Sequence, residues 1–304
     1  MLRVARSIGA GLLAAPVIAV AGIGPARAAN TDVYLDWGIP ADPGWYWLHY
    51  LDYVNHGSSN SVGDTMQIEY QTRTGLTGTT RDSFEFWGGF AFGNASTGDA
   101  PHSSAWGIAA PEVGAQWYYE VMQPEGKQGD PGYRILVVSP WVQVNAPNGN
   151  TNAGGYGSGA DQWSVTEALL ATYRTGPFTT TVLPITLTQA GANQNTTLVA
   201  NAAGVPALIR QRTGVSGSFG VFNVGYDVSP TLTLGLYQSW NTYSFAGARD
   251  SPRQAEGTIG PTFEYSGLSD SLGLAIDGTV QVDYYHTSDL RQGYFFSLYL
   301  QKKF

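Results

Sequence analysis

Proton transfer and metal ligation at neutral pH fall first to histidine, and this 304-residue chain has four: His49, His56, His102 and His286. His49 alone sits inside an extended, aromatic-rich stretch; the others lie in turn-rich sequence or at the edges of apolar runs. A serine hydrolase needs a hydroxyl held against such an imidazole, but the chain has no Gly-x-Ser-x-Gly and no serine at a spacing that requires His49. His56, His102 and nearby acids show no metal-ligand spacing. There is no cysteine, which removes disulfides and thiolate metal sites. Gly154-Gly155-Tyr156-Gly157-Ser158-Gly159 is glycine-rich, yet it lacks the Lys-Ser/Thr of a phosphate loop and any helix pattern after it. The expectation is no catalytic residue, no metal and no cofactor.

The acids are more informative, because of where a period of two places them. Met66, Ile68 and Tyr70 alternate with Gln67, Glu69, Gln71 and Arg73; Phe84, Phe86, Phe90 and Phe92 oppose Ser83, Glu85 and Trp87. Trp117, Tyr119 and Val121 oppose Gln116, Tyr118 and Glu120, and Leu232, Leu234 and Leu236 oppose Thr231, Thr233, Tyr237 and Ser239. The clearest run sets Leu272, Leu274, Ile276, Gly278, Val280, Val282 and Tyr284 against Ala275, Asp277, Thr279, Gln281 and Asp283. Successive side chains leave a strand on opposite faces, so each segment has one greasy and one polar face.

Twelve such strands can be counted between residues 45 and 304. They are joined by short links after the sixth, eighth and tenth, and by longer ones after the third, fifth, seventh and ninth; 145–161 and 189–213 are the longest. Alternating short and long links are the signature of an up-and-down barrel. The thirteen residues from Leu272 to Tyr284, tilted by about 40°, rise about 33 Å, which crosses an outer-membrane apolar band of roughly 25 Å. Charged residues make up 12% of the chain, half the usual share of a soluble domain, and a surface given to lipid requires no more. The last strand, Tyr294 to Phe304, ends on an aromatic residue where soluble chains end in polar tails. A secreted β-sandwich is the rival fold.

Residues 1–28 read as a secretory signal peptide. Arg3 and Arg6 lead an apolar stretch broken by Pro16, and Ala26-Arg27-Ala28 supplies small residues before Ala29. Without them 12 basic and 23 acidic residues remain, a net charge of −11 that disfavours any nucleic-acid partner. Residues 29–43 show no period and read as a periplasmic or plugging segment; the barrel occupies 44–304. If the greasy faces meet lipid, the lumen receives Glu69, Glu85, Glu120, Glu256, Glu264, Asp277, Gln281 and Asp283, with Arg73 and Lys303 as the bases. An acid-lined passage repels anions and favours neutral or cationic solutes. Trp45, Trp47, Trp117, Trp141 and Trp240 read as girdle anchors at the membrane interface, with Phe304 closing the barrel. Glu167 conflicts with this scheme: sharing a face with Val165, Leu169 and Tyr173, it suggests that its strand turns the larger residues inward.

Several short motifs resemble one family. Pro43-Gly44-Trp45-Tyr46 is similar to its Pro-Gly-aromatic opening, and Asn145-Ala146-Pro147-Asn148-Gly149 to its aromatic-x-Pro-Thr-Gly. Ile259-Gly260-Pro261 with Tyr265 resembles its Ile-Gly-Pro strand, and Arg291-Gln292-Gly293 its Arg-Pro-x-Gly. The family comprises outer-membrane barrels named as transporters of the meta-pathway of phenol degradation. This chain departs from it in having Asn145 for the aromatic and no proline before Gly293. The resemblance implies a bacterial outer-membrane barrel that passes small, hydrophobic or aromatic solutes, meets outer-membrane lipid and lipopolysaccharide, and is delivered to the barrel-assembly machinery by its last strand. It implies no catalytic residue. A structural or adhesive barrel without transport, and an outer-membrane lipid hydrolase, are the alternatives.

Overall fold

The computed structural model describes residues 38–57, 59–73, 82–97, 103–126, 131–147, 163–190, 193–200, 206–246, 254–287 and 292–304. Residues 1–37, His102 and the Gly154–Gly159 stretch lie outside them; the expected signal peptide falls there. Fourteen strands follow in chain order: β1 (Gly44–His56), β2 (Ser59–Arg73), β3 (Asp82–Thr97), β4 (Ser103–Ile108), β5 (Glu112–Glu125), β6 (Arg134–Asn145), β7 (Ser164–Thr175), β8 (Phe178–Ala190), β9 (Asn193–Ala200), β10 (Pro206–Ser229), β11 (Leu232–Ala246), β12 (Gln254–Leu268), β13 (Leu274–His286) and β14 (Tyr294–Lys303).

Twelve of them form one closed antiparallel ring. Each pairs with its sequence neighbours, β3 pairing onward with β5 and β8 with β10, and β14 closes onto β1. Closure starts at Tyr46 opposite Lys303 and runs to Asn55 opposite Tyr294. β4 and β9 are not extra staves. β4 pairs only with the far end of β3, and β9 only with the first residues of β10, Pro206–Thr213. The 189–213 region, expected to be a loop, is therefore mostly a hairpin: β8 runs to Ala190, and β9 and β10 pair beyond it.

The two faces of the ring differ in chemistry as the period of two requires. Outward stand Trp45, Ile68, Phe86, Phe90, Leu234, Leu236, Val280, Val282 and Tyr284, all exposed. Inward stand Gln67, Glu69, Gln71, Glu85, Gln116, Thr166, Thr181, Asn223, Thr262, Asp277 and Gln301, all buried. A water-soluble barrel would have these two sets exchanged; this one is built for hydrocarbon outside.

Three expectations change. Leu272 belongs to a single helical turn, Ser269–Leu272, and β13 begins after Gly273, whose φ of 64° makes the reversal. Glu167 does face outward, together with Val165, Leu169 and Tyr173, because the inward register of β7 is held by Ser164, Thr166, Leu170, Thr172 and Arg174. Arg174 sets that phase: its guanidinium reaches the Asp227 carboxylate across the wall. Trp141 is a lumen residue, 3% exposed, not a girdle anchor. Link lengths also keep their parity imperfectly, since β1 and β2, at the end opposite the chain termini, are joined across only 57–58.

The Ile259-Gly260-Pro261 motif has a local cause. A Cβ on Gly260 would lie 1.7 Å from the Val280 carbonyl oxygen of β13, and that backbone atom cannot yield without breaking the ladder. Gly260→Ala is expected to destabilise the barrel by about 1–3 kcal/mol, the usual cost of overpacking; denaturant titration of the detergent-folded protein, read by heat-modifiable migration, measures it.

Candidate functional site: the barrel lumen

The inner wall is a continuous polar lining, and inward glycines let long side chains lie flat on it. Gln67 of β2 crosses β3 over Gly89, where a Cβ would sit 2.5 Å from its Cγ. It reaches the Glu112 carboxylate on β5. Gln143 donates to the same carboxylate at 2.9 Å and to Asn145 Oδ1 at 2.9 Å, and Asn145 donates to Ser164 Oγ at 3.0 Å. The Tyr50 hydroxyl donates to Gln67 Oε1 at 3.1 Å. One hydrogen-bonded belt thus runs along the wall from β1 to β7. A second joins β11, β12 and β13: Ser239 and Thr258 hydroxyls are 2.8 Å apart, and Thr258 donates to Gln281 Oε1 at 2.5 Å.

Glu69, Glu85 and Asp277 are almost wholly buried on the inward face, and Glu120 and Asp283 nearly so. The Tyr118 hydroxyl donates to Glu85 Oε2. Asp283 accepts from the Gly293 amide at 2.6 Å, which fixes the start of β14. Glu264 lies opposite Asp277 in the β12–β13 register, and Glu256 follows the inward parity of Thr258 and Thr262 on the same strand. Gln281 is 2% exposed and lies in the second belt. Among the described side chains the bases on the inward register are Arg174, Lys303 and Arg73. All three lie at the end of the barrel where the chain begins and ends, and Arg73 is exposed there. Among the described residues, acids are thus distributed along the lumen while the inward bases sit at one mouth.

That mouth holds the N-terminal segment. The Ser139 hydroxyl on β6 donates to the Gly38 carbonyl at 3.3 Å, and Gly38 lies so close to Thr172 that a Cβ there would be 2.4 Å from its Oγ1. Ile39 packs against Tyr118, Tyr133, Ile135 and Val137, and Ala41 is buried among the inward apolar side chains. Asp42 is held by Tyr46, whose hydroxyl donates to its carbonyl at 2.5 Å, and by Lys303 at 3.4 Å from its carboxylate. Residues 38–41 thus lie inside the barrel, with Asp42 and Pro43 exposed at its mouth.

The aromatic candidates divide. Trp45 packs at a tilt on Tyr70 with centroids 4.8 Å apart on the outer face, and the Trp117 indole, also outward, donates to Asp82 Oδ1 at 3.0 Å. Trp240 lies flat over Gly220 of β10. Phe304 is 76% exposed, and its amide donates to the Trp45 carbonyl at 3.0 Å, sealing the β14–β1 junction. Inside, Trp87 and Trp141 meet edge to face at 6.3 Å, with Trp87 lying over Gly114. The period of two had set Trp87 on the face of Ser83 and Glu85; Trp141, read as a girdle anchor, needed its neighbours in space. His49 turns out to face outward, its Nε2 2.5 Å from Asp64 Oδ1. It is joined to a carboxylate rather than to a serine, an arrangement that lacks the nucleophile of a hydrolase.

No protein-family profile and no curated protein matches the chain by sequence. Solved structures match by shape. An outer membrane channel from Pseudomonas putida F1 is similar at a TM-score of 0.66 and 13% identity, over 87% of this chain and 97% of that one. The β domain of the Bordetella autotransporter BrkA is similar at 0.52 and 10% identity, over 86% of this chain and all of that one. Such distant likeness speaks to architecture, and the architecture shared is the closed antiparallel barrel of bacterial outer membranes.

Proposed function

We propose that this protein is a passive outer-membrane channel for small hydrophobic or aromatic molecules. The observation that carries the reading is the inversion of the two faces: apolar side chains outward on every stave, and a hydrogen-bonded polar lining with buried acids inward. A barrel with that polarity lies in a bilayer and encloses a polar interior rather than an apolar core. The motif resemblance to transporters of the phenol meta-pathway supports an aromatic solute, and the inward Trp87, Trp141, Tyr50, Tyr118, Tyr237 and Tyr299 supply rings for it to pass. The short-turn end, where β14 and β1 meet, is the periplasmic one in this reading, and residues 38–43 narrow it.

The fixed charge of the lumen sets a preference. Carboxylates at Glu69, Glu85 and Asp277 repel anions in a narrow, low-dielectric passage. Neutral phenol is expected to enter proteoliposomes faster, relative to protein-free vesicles, than benzoate; benzoate entering faster would remove the acid-lined filter. The charge-neutral triple variant Glu69→Gln/Glu85→Gln/Asp277→Asn is expected to reduce the cation-over-anion preference in reversal-potential measurements across planar bilayers.

Occlusion by the N-terminal segment has its own test. Deleting residues 29–43 behind an intact signal peptide is expected to raise single-channel conductance, because Gly38, Ile39 and Ala41 then leave the mouth. Unchanged conductance would show that the segment does not limit the bore.

A further inference from the structure

The polar lining has a gap. On β7, β8 and β10 the inward residues Leu170, Leu183 and Val221 are fully buried and apolar, with Phe219 beside them. The ladder is also broken there, on both sides of one strand. Between β7 and β8 the register passes from Ala168–Thr186 to Ala171–Val182. Between β8 and β10 it passes from Phe219–Thr186 to Val221–Leu183. Both interruptions fall on Pro184 and Ile185. Pro184 has no N–H to give to either neighbour, which favours such a bulge.

The outer side of the same place is apolar as well. Pro184 is exposed, as are Leu169 and Phe222. Gly220, the β10 residue that the β8 register skips, has its outer face covered by the indole of Trp240, its partner on β11; a Cβ at Gly220 would fall 2.1 Å from that ring. So the wall here carries two register slips and a residue with no N–H, is greasy on both faces, and has one aromatic side chain lying over the skipped glycine. On the inner side Gly38 abuts Leu170, so the segment that narrows the periplasmic mouth lies against this sector.

We propose that the wall between β8 and β10 at Leu183–Pro184 and Gly220 is a lateral port, through which an apolar solute leaves the lumen for the hydrocarbon of the bilayer, with Trp240 as its outer cover. The proposal rests on the channel reading above and adds the route. An apolar solute gains by going sideways: it exchanges a polar lumen for hydrocarbon and avoids the occupied mouth. Parting the strands costs less where the register already slips and Pro184 has no N–H to lose.

The absence of cysteine makes a staple clean. Leu183→Cys/Val221→Cys places thiols on directly opposed strand residues, a separation a disulfide can span; Thr279→Cys/Ser297→Cys on β13 and β14 is the control staple. The full chain is expressed in the outer membrane of a heterologous Gram-negative host, folding is checked by heat-modifiable migration, and uptake of labelled naphthalene is followed with ion conductance of the purified protein. The β8–β10 staple, oxidised, is expected to bring naphthalene uptake down to that of cells lacking the protein, with dithiothreitol restoring it, while conductance and the control staple stay at wild-type values. Trp240→Ala is expected to raise naphthalene uptake. Wild-type uptake in the oxidised β8–β10 variant overturns the port and leaves the channel standing. A wild-type protein that conducts nothing and accelerates no solute overturns the channel reading, and the port with it.

Discussion

Hydrocarbon offers no hydrogen bonds, and that single deficit organises this molecule. Every backbone N–H and C=O inside a bilayer must find a partner in the protein, so a sheet that crosses it must close on itself. Closure here is made by β14 against β1, ten register pairs from Tyr46–Lys303 to Asn55–Tyr294, and is sealed at its end by the Phe304 amide on the Trp45 carbonyl. Once the ring is closed, the pleat forces one face of each strand onto lipid and the other into the lumen. The acids, amides and hydroxyls have nowhere to go but inward.

Inside, the constraint becomes one of volume. Twelve staves enclose more space than the side chains of an eight-stranded barrel need to fill, yet less than an open porin. This chain uses the inward glycines to lay large side chains along the wall: Gln67 over Gly89 and Trp87 over Gly114. The amide belt that follows, from Tyr50 through Glu112 to Ser164, satisfies buried polar groups with one another. Buried acids are tolerable only in such company. The positive groups collect where the N-terminal segment enters, and Lys303 and Tyr46 hold Asp42 there.

The wall is not uniform, and register slips on both sides of one strand coincide with an apolar stretch of its lining. A proline inside a twice-paired strand, two register slips and an apolar inner cluster meet at β8. Elsewhere, as at Thr262 and Thr279 between β12 and β13, hydroxyls bond the neighbouring strand's carbonyls and add to the ladder. That contrast ties the route of a solute to the same hydrogen-bond accounting that produced the barrel.

Much of this was legible in the residues alone. Alternation is a local property: Leu234 and Leu236 against Thr233 and Tyr237, or Val280 and Val282 against Gln281 and Asp283, declare their faces within a few residues, because the pleat turns each side chain by half a revolution. Strand number and the inward placement of Glu69, Glu85 and Asp277 followed from that period, whereas the phase of the first strand did not. What it could not decide were matters that depend on a neighbour in space. Glu167 reads equally well in either phase until Arg174, seven residues on, is seen to need Asp227 from another hairpin. Trp141 carries no mark that separates a girdle anchor from a lumen ring; Trp87, fifty-odd residues earlier in the chain, supplies it. The path of Gly38–Pro43 into the mouth, and the break in the wall at Pro184, arise only when distant strands are brought side by side. Periodicity is written one strand at a time, whereas a lumen is made by all of them together.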